Sequence, residues 1–313
     1  MKSELKKIVE SSLLGQSFDC LSVGVIDFAK PSFFCLEHVP SSFYKSIGKG
    51  EVFYDLASLT KPLTLGATYC KDPEVFDEND DLCLLLEHRG GLPAWGRLSK
   101  NNWRAQVLSF KISDSKTKYS DLSALRLMLE LEKKLGKEFL SLMPSYFDKE
   151  TFFWKNLKGP NITPYVGFRN GKPLRGQVHD DNAFVIDEFC THAGLFSTVS
   201  GLCRTLLNLD KKFSLIKIME SSFLNRKGSH RFLKGWDTIN SKEMKKTLAG
   251  DGCSPHTFGH LGFTGTSIWV DCEKSLGVIT LTNATKKFWF ERDGLNNIRR
   301  SIGSFVWKNY HQF

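Results

Sequence analysis

The sequence lacks any run of about 18 uncharged apolar residues, the length that a helix needs to cross a bilayer. The first residues also lack the continuous apolar stretch and the small-residue cleavage site of a secretory signal. Leu5, Ile8 and Val9 instead fall at helical spacing, which predicts an amphipathic helix that belongs to the fold. These absences favour a cytoplasmic protein with no membrane partner.

Closely spaced cysteine pairs are also lacking, since none of the eight cysteines stands in a CxxC or CxC arrangement. Zinc sites are built from ligand pairs at such short spacings, so the pattern does not favour a metal. We expect buried, reduced thiols, as in a reducing compartment, and predict neither a metal ion nor another cofactor. The cysteines are Cys20, Cys35, Cys70, Cys83, Cys190, Cys203, Cys253 and Cys272.

Clustered charge of one sign is lacking too, although the net charge is +9. A nucleic-acid-binding face needs cations along one surface, but here they are scattered as short pairs among acidic neighbours. We expect solvated surface charge and no nucleic-acid partner, with an overall field that favours anionic small-molecule substrates. The pairs are Lys133-Lys134, Lys211-Lys212, Lys245-Lys246 and Arg299-Arg300.

Strand patterns occur near both ends of the chain, and helical patterns fill the middle and the last segment. The strand runs, which we pair as two hairpins, are 21–28 with 32–39 and 263–270 with 276–283. The helical runs are 123–139, 202–209 and 294–310, and a Gly/Pro-rich loop region covers 158–172.

This distribution predicts an α+β fold, in which one antiparallel sheet is built from both ends of the chain and carries flanking helices and an inserted helical region. The chain has 313 residues, 41% of them apolar, which is enough for a large core. We predict a single domain over 1–313. Its sheet subdomain covers about 1–57 and 236–313, and its helical subdomain covers about 58–235. The sequence leaves the oligomeric state open.

The stretch DLASLTKPLT, residues 55–64, places Ser58 three residues before Lys61. Residues i and i+3 share a helix face, so the hydroxyl and the amine can meet there. Pro62 is tolerated only in the first turn of a helix, so the helix must begin at or just before Ser58. Its positive end favours an oxyanion at the serine and an uncharged Lys61 that acts as base. Alone, the tetrapeptide fits a capping serine with an exposed lysine better than a catalytic pair.

Three further stretches add chemistry. LLLEHRGGLP, residues 84–93, is typical of a helix end that runs into a glycine-rich turn. YSD, residues 119–121, stands immediately before the long helix, where Tyr119 can project from a loop into a cleft. HLGFTG, residues 260–265, opens the second hairpin, and its glycines let a substrate approach the backbone. A hydroxyl, an amine and a phenol form a complete set for acyl transfer without a metal or cofactor.

Five stretches, in their order along the chain, resemble the motifs of the serine β-lactamase-related family. They are SLTK, LLEHRGGLP, YSD, VHDDNA with THAGLFST, and GHLGFTGTSIWVD. This family includes class C β-lactamases, penicillin-binding D-alanyl peptidases and family VIII-type esterases. The similarity runs from about Val52 to Asn283. It implies a β-lactamase/transpeptidase-like fold and a serine hydrolase that forms an acyl-serine intermediate on a carboxylic ester or a peptide-like amide.

The resemblance also implies individual roles. Ser58 takes the place of the acylated nucleophile, Lys61 that of its base, and Tyr119 that of the tyrosine that relays the proton. The backbone N–H groups of Ser58 and Phe263 correspond to the oxyanion hole. His260-Leu261-Gly262 takes the place of the third motif, which is Lys-Thr-Gly in β-lactamases and often His-x-Gly in their relatives, so we expect substrate contacts there.

Two positions depart from the β-lactamase pattern. Asp121 stands where β-lactamases carry asparagine, and a carboxylate only accepts hydrogen bonds whereas an amide also donates them. Leu261 replaces a hydroxyl residue of the third motif. Both changes argue against efficient β-lactam hydrolysis and favour esters or peptides as substrates.

Histidines elsewhere in the motifs invite a metal interpretation. For His88, His179 and His192 we instead expect structural or bracing roles around the site. Asp180 is expected to line or brace the site with His179, or to cap a helix or order the turn.

The segment from Lys61 to His88 is short for the family. It predicts either a trimmed fold with a more open cleft or compromised packing behind Ser58. This shortness, with the altered third motif, supports an alternative function: a binding or regulatory module that keeps the fold and has weak or no turnover.

Overall fold

The computed structural model describes residues 2–47, 50–136, 138–159, 162–240, 244, 246–287 and 292–312. Its helices are α1 (Lys2–Ser12), α2 (Ser41–Ile47), α3 (Ala67–Lys71), α4 (Pro73–Asp77), α5 (Asp80–Leu86), α6 (Trp103–Leu108), α7 (Asp121–Leu135), α8 (Phe139–Leu142), α9 (Asp181–Ile186), α10 (Val199–Phe213), α11 (Leu215–Leu224) and α12 (Asp293–Asn309). Its strands are β1 (Leu21–Asp27), β2 (Ser32–His38), β3 (Tyr54–Asp55), β4 (Thr151–Phe153), β5 (Phe168–Arg169), β6 (Lys172–Pro173), β7 (Leu195–Ser197), β8 (Phe232–Leu233), β9 (Trp236–Thr238), β10 (Thr257–Leu261), β11 (Ser267–Asp271) and β12 (Leu276–Thr282).

Seven strands form one sheet in the order β2-β1-β12-β11-β10-β9-β8. All its strand pairs are antiparallel, and in the central pair Val25 of β1 lies opposite Val278 of β12. The sheet therefore joins the two ends of the chain, which confirms the predicted α+β fold class. The division into subdomains at about 57/58 and 235/236 stays a prediction.

The central strands are buried on both faces because helices cover both sides of the sheet. In β1, Leu21, Val23 and Val25 point into a core shared with α1 and α12. Ile26 points to the opposite core, which contains residues of α10. Gly24 on that second face lets α10 pack closely, since a Cβ atom there would lie 2.6 Å from the Cys203 sulfur. The alternation of side chains along the strand thus directs successive residues of β1 into one core or the other.

Several predicted elements are confirmed with changed bounds, and one strand begins later than expected. The first hairpin, the long helix α7 and the last helix α12 lie where the patterns indicated. The run 263–270 is not one strand, because residues 262–266 form a turn between β10 and β11. The Gly262 N–H donates to the Thr266 carbonyl at 2.8 Å and closes that turn. Periodicity missed it because Phe263 resembles a strand residue, while it is exposed on the turn.

The short segment after Lys61 does not leave the packing behind Ser58 incomplete. It folds into α3, α4 and α5, each only five to seven residues long. Their side chains Phe76, Leu82 and Leu85 are fully buried or nearly so. Of the two expectations for this segment, compromised packing is therefore wrong.

Helix α12 is seated against the loop 247–252 through a glycine. A Cβ atom on Gly303 would lie only 1.8 Å from the Ala249 carbonyl oxygen, which accepts a hydrogen bond from Trp307 Nε1 at 2.7 Å. We expect Gly303→Ala to lower the free energy of unfolding by about 3 kcal/mol, because the clash is with backbone and outweighs the better helix propensity of alanine. Urea denaturation followed by circular dichroism measures the change.

Ser301→Ala is the matched control, since Ser301 is exposed on the same helix. It should change stability by no more than about 0.5 kcal/mol. Equal stability of Gly303→Ala and the control would show that the 247–252 loop does not constrain the helix.

Candidate active site

Ser58 lies in a strained turn that links β3 to the following helical segment. Ala57, the residue before it, has a φ of 48°, in the left-handed region that non-glycine residues rarely adopt. The Asp55 carboxylate accepts the Ala57 N–H at 2.8 Å, and Thr60 Oγ1 donates to the Ala57 carbonyl at 2.7 Å. The helical turns begin at Ala57, as the position of Pro62 required.

Asp55 ties this turn to a second loop. Its other carboxylate oxygen accepts the backbone N–H of His179 at 2.6 Å. Burial raises the pKa of Asp55 to about 7, although its bonds to the N–H groups of His179 and Ala57 oppose the shift. Asp55 therefore titrates close to neutrality, directly behind the serine turn.

Lys61 is buried beside Ser58, where it donates to two acceptors and forms an ion pair. Its Nζ lies 3.1 Å from Ser58 Oγ, 2.9 Å from the His192 carbonyl oxygen and 2.6 Å from Asp121 Oδ1. Burial lowers the pKa of Lys61, but the negative charge of Asp121 outweighs burial and holds that pKa above its usual range. The expectation of an uncharged lysine is therefore wrong: Lys61 is an ammonium group. A four-residue motif could not reveal this, since the cause lies on α7.

Tyr119 reaches the same place from the loop that precedes α7. Its ring lies 4.9 Å from Lys61 Nζ and packs against the rings of His88, Phe232 and His260 at centroid distances of 4.7, 5.8 and 5.8 Å. The buried Oη makes no hydrogen bond within the described part of the chain. Burial raises the pKa of the phenol, while the nearby Lys61 ammonium opposes the shift. The phenol is thus held protonated, with its hydroxyl free for a ligand.

His260 on β10 faces the same cavity as a neutral ring. Its Nδ1–H donates to the Leu261 carbonyl at 2.9 Å, which leaves Nε2 as a buried acceptor without a partner among the described residues. Burial, followed by the charge of Lys61, lowers the pKa of His260 to about 3. His88 behaves alike: its Nδ1 accepts the Ser120 N–H at 3.2 Å, and burial holds its pKa well below the usual range.

The turn 262–266 brings Phe263 against Ser58. A Cβ atom on Gly262 would lie 1.9 Å from Thr266 Oγ1 and 2.6 Å from the Leu56 carbonyl oxygen, so no side chain fits there. Thr266 Oγ1 donates to that same carbonyl at 3.0 Å, one residue from the strained turn. Phe263 is 41% exposed and lines the cavities beside Ser58.

Two cavities meet at Ser58, Tyr119 and Phe263. The first, of about 480 Å³, is lined by His260, by the cations Arg292 and Arg299, and by the ion pair of Arg231 with Asp237. The second, of about 460 Å³, is lined by Ala57, Trp95, Asp121, His179, Asp180, Asp181 and Ala193. The serine hydroxyl therefore stands at the junction of a basic lobe and a lobe with carboxylates and an exposed indole.

The residues expected to brace the site form an ion pair behind it. Asp180 caps α9 by accepting the Ala183 N–H at 2.7 Å, and it lies 2.9 Å from His192 Nε2. Burial raises the pKa of Asp180, but the charge of His192 holds it below the usual range. Burial lowers the pKa of His192, but Cys190 and Asp180 together raise it to about 10. This charged pair stands directly behind the carbonyl that holds Lys61.

His179 lies on the other side of the serine turn. Its ring packs against Phe263 at a centroid distance of 5.2 Å, and burial lowers its pKa. No group of three or more His, Cys, Asp or Glu side chains within the described ranges is arranged to hold a metal ion.

Sequence reasoning missed the basic lobe. Arg299 was taken as surface charge but is only 5% exposed, and it pairs with no carboxylate among the residues described. It donates to the Thr266 carbonyl at 2.8 Å and to Asn296 Oδ1 at 3.2 Å. Burial, with the nearby charge of Arg292, lowers the pKa of Arg299 to about 9. Its position four residues after Leu295 placed it on the apolar face of α12, a signal that could have found it.

The fold and the junction of hydroxyl, ammonium and phenol define a protein of the β-lactamase/transpeptidase-like class. A family model described as "Beta-lactamase" matches residues 84–300. The chain therefore belongs to the β-lactamase family, as the ordered motifs indicated. The matched span begins after Ser58 and Lys61, so the roles of these two residues rest on the geometry.

Curated relatives match a shorter part of the chain. An N-acetylmuramyl-L-alanine amidase of Bacillus subtilis is 33% identical over 121 residues, which is 35% of this chain and 26% of that protein. A putative D-alanyl-D-alanine carboxypeptidase of Escherichia coli K12 is 32% identical over 118 residues, which is 35% of this chain and 27% of that protein. The matched segment thus spans about a quarter of the length of these relatives.

Solved structures match over nearly the whole chain. A β-lactamase from Mycobacterium bovis superposes with a TM-score of 0.61 at 20% identity, covering 96% of this chain and 99% of that one. A β-lactamase/D-alanine carboxypeptidase from Pseudomonas syringae gives 0.67 at 13% identity, covering 96% and 98%. EstCE1, a hydrolase with promiscuous acyltransferase activity, gives 0.67 at 13% identity, covering 97% and 98%. These likenesses show the fold.

None of the helices in the described ranges is both long and apolar enough to cross a membrane.

Proposed function

We propose that this protein is a serine hydrolase that acts on a carboxylic ester or a peptide-like amide through an acyl-serine intermediate on Ser58. The observation that carries the proposal is the contact of Ser58 Oγ with Lys61 Nζ at 3.1 Å, at a junction of two cavities that Tyr119 also lines. A serine hydroxyl becomes a useful nucleophile only beside a group to which it can transfer its proton. Family membership and the names of the relatives support the same reaction class.

In the proposed reaction, Ser58 attacks the substrate carbonyl while the proton of its hydroxyl is transferred to Lys61. The carbonyl oxygen becomes an oxyanion that the backbone N–H groups of Ser58 and Phe263 stabilise, a contribution worth about 10²–10³-fold in rate per donor in such sites. Tyr119, whose hydroxyl has no other partner among the described residues, passes a proton to the leaving group. Water then cleaves the acyl-serine bond.

The basic lobe supports a substrate with an anionic group close to the scissile bond. Arg299 is a buried guanidinium without a carboxylate partner in the described ranges, and Arg292 lies nearby on the same cavity wall. A buried cation of this kind is matched by a planar anion that accepts two hydrogen bonds, as a carboxylate does. We therefore favour peptide-like amides or esters that carry a free carboxylate, the class that the names of the carboxypeptidase relatives describe.

A second candidate function is a binding module without turnover. It is favoured by the charge of Lys61, because an ammonium group has no lone pair and cannot take the serine proton directly. Such a module would retain the cavities and bind the same carboxylate-bearing molecules without cleaving them.

Covalent trapping tests the hydrolase. The protein is incubated with a fluorophosphonate and, separately, with a labelled penicillin, and the adduct is mapped by peptide mass spectrometry. We expect the fluorophosphonate to add to the peptide that contains Ser58 and the Ser58→Ala variant to stay unlabelled, because the phosphonyl group needs the activated hydroxyl. A folded protein that gains no mass on that peptide with either reagent supports the binding module.

A further inference from the structure

The charge of Lys61 raises a question that the family motif does not answer. Its ammonium group donates to Ser58 Oγ and to the His192 carbonyl, and it lies 2.6 Å from Asp121 Oδ1 in an ion pair. An ammonium group has no lone pair, so it must lose a proton before it can accept the one on Ser58. The acceptor of that proton has to touch Lys61.

Most titratable groups around Lys61 cannot take the proton. The imidazoles of His88 and His260 make no hydrogen bond to Lys61 in the described part of the chain, and the phenol, with its pKa raised by burial, already holds a proton. The other carboxylate nearby is bound to a protonated histidine at 2.9 Å. The groups that face Lys61 are Asp121 and Tyr119 from α7 and the loop before it, His88 from the loop after α5, His260 from β10, and Asp180 and His192 from the segments 179–181 and 190–194.

Asp121 differs from these groups because its carboxylate contacts Lys61 directly, at 2.6 Å. It is the first residue of α7, where its backbone N–H donates to the Ala94 carbonyl at 2.8 Å and Ser120 caps the helix. The side chain is held in place and remains 18% exposed toward the cavity.

We propose that Asp121 is the proton acceptor behind Lys61, so that the serine is activated by a relay in which the Lys61 Nζ–H bond breaks toward Asp121 as the Ser58 O–H bond breaks toward Lys61. The Ser58 Oγ–carbon bond forms in the same step, and the carbonyl electron pair moves onto the oxyanion. When the tetrahedral intermediate collapses, the proton returns from Asp121 to Lys61, and Lys61 reprotonates Tyr119, which has given its own proton to the leaving group. This inference rests on the proposed acyl-serine reaction. It assigns a proton-accepting carboxylate to the position where β-lactamases carry asparagine.

The relay predicts a specific pH dependence. In the relay Lys61 starts each turnover as an ammonium group, so kcat/KM of the wild type should not depend on the titration of Lys61 between pH 6 and 9. In Asp121→Asn the amide keeps the shape but accepts no proton, and only the deprotonated lysine can act. Because the Asp121 charge that keeps Lys61 protonated is also gone, burial lowers the pKa of Lys61 in this variant. We expect its kcat/KM to fall on the order of 100-fold at pH 6 and to rise with pH, up to about tenfold per pH unit, until the lysine is deprotonated.

The measurement is kcat/KM for a p-nitrophenyl ester from pH 6 to 9, corrected for the rate with Ser58→Ala. Titration of Asp55, whose pKa is about 7, changes kcat/KM with pH in the wild type and in every variant alike. The variants are therefore compared as ratios to the wild type. Asp121→Glu retains a carboxylate and should keep a constant ratio across the range, at a reduced rate.

The possible results separate the relay from the hydrolase itself. A ratio for Asp121→Asn that rises with pH, beside a constant ratio for Asp121→Glu, supports the relay. A constant ratio for Asp121→Asn, with Ser58→Ala inactive, leaves the hydrolase in place and overturns the relay. Wild-type turnover in Ser58→Ala overturns both. If Asp121→Asn does not fold, a ratio for Asp121→Glu that rises with pH still counts against the relay.

Discussion

Replacing Ser58 by alanine is expected to lower kcat/KM for p-nitrophenyl esters by at least about 10³-fold, because the change removes the oxygen that would carry the acyl group. The effect should appear in kcat, since both cavities remain available to bind the substrate. Steady-state hydrolysis measured beside the uncatalysed reaction, on protein checked by circular dichroism, gives the ratio.

Ser301→Ala is the matched control for this experiment, because it removes an exposed hydroxyl far along the chain on α12. It should retain wild-type kcat/KM. If the folded Ser58→Ala variant hydrolyses esters as fast as the wild type, the hydrolase proposal is wrong and the binding module takes its place.

Removing the charge of Arg299 should change which substrates the protein accepts. For Arg299→Met we expect kcat/KM for an N-acyl-D-alanyl-D-alanine peptide to fall on the order of 10²–10³-fold, since loss of one partner of a buried charge pair costs about 2–5 kcal/mol. The same peptide with a C-terminal amide should change by less than about threefold, because it has no carboxylate to lose. The ratio of the two substrates is the measurement.

Arg300→Met provides the comparison within the same helix. Arg300 is part-exposed and hydrogen bonds only to Asn297 in the described part of the chain, so its loss should leave both substrates unaffected. Methionine is expected to fold at position 299, because replacing an unpaired buried cation by an apolar side chain of similar length removes a desolvation cost. An equal loss for peptide acid and peptide amide would contradict carboxylate recognition by Arg299.

Much of the framework could be predicted from local pattern. The alternation of apolar residues in 21–28 and 32–39 fixed the first hairpin, and helical spacing fixed α7 and α12. Pro62 located the start of the helical turns at Ala57. Motif order singled out Ser58, Lys61 and Tyr119, and the structure brings these three side chains to one junction, although their roles stay predictions.

The rest depended on contacts that no local pattern contains. The charge of Lys61 is set by Asp121, sixty positions away, through a separation of 2.6 Å that only the tertiary fold defines. The φ of 48° at Ala57 is imposed on a residue with no intrinsic preference for it. The turn at 262–266 was hidden because Thr and Phe occur in strands and turns alike. Arg299 is the exception, since its helical face was visible in the sequence.

The tie between the serine turn and the turn 262–266 has a consequence for biosynthesis. Thr264 Oγ1 donates to the Asp55 carbonyl and Thr266 Oγ1 to the Leu56 carbonyl, contacts that span 209 and 210 positions of the chain. Contacts of such long range form late in folding, because closing so large a loop costs chain entropy before the contacts that offset this cost can form. A nascent polypeptide that has emerged only through its first two hundred residues therefore holds Ser58 without the segment that positions it. Under the proposed function, the reactivity of this serine therefore depends on synthesis and docking of the strands that flank the turn 262–266.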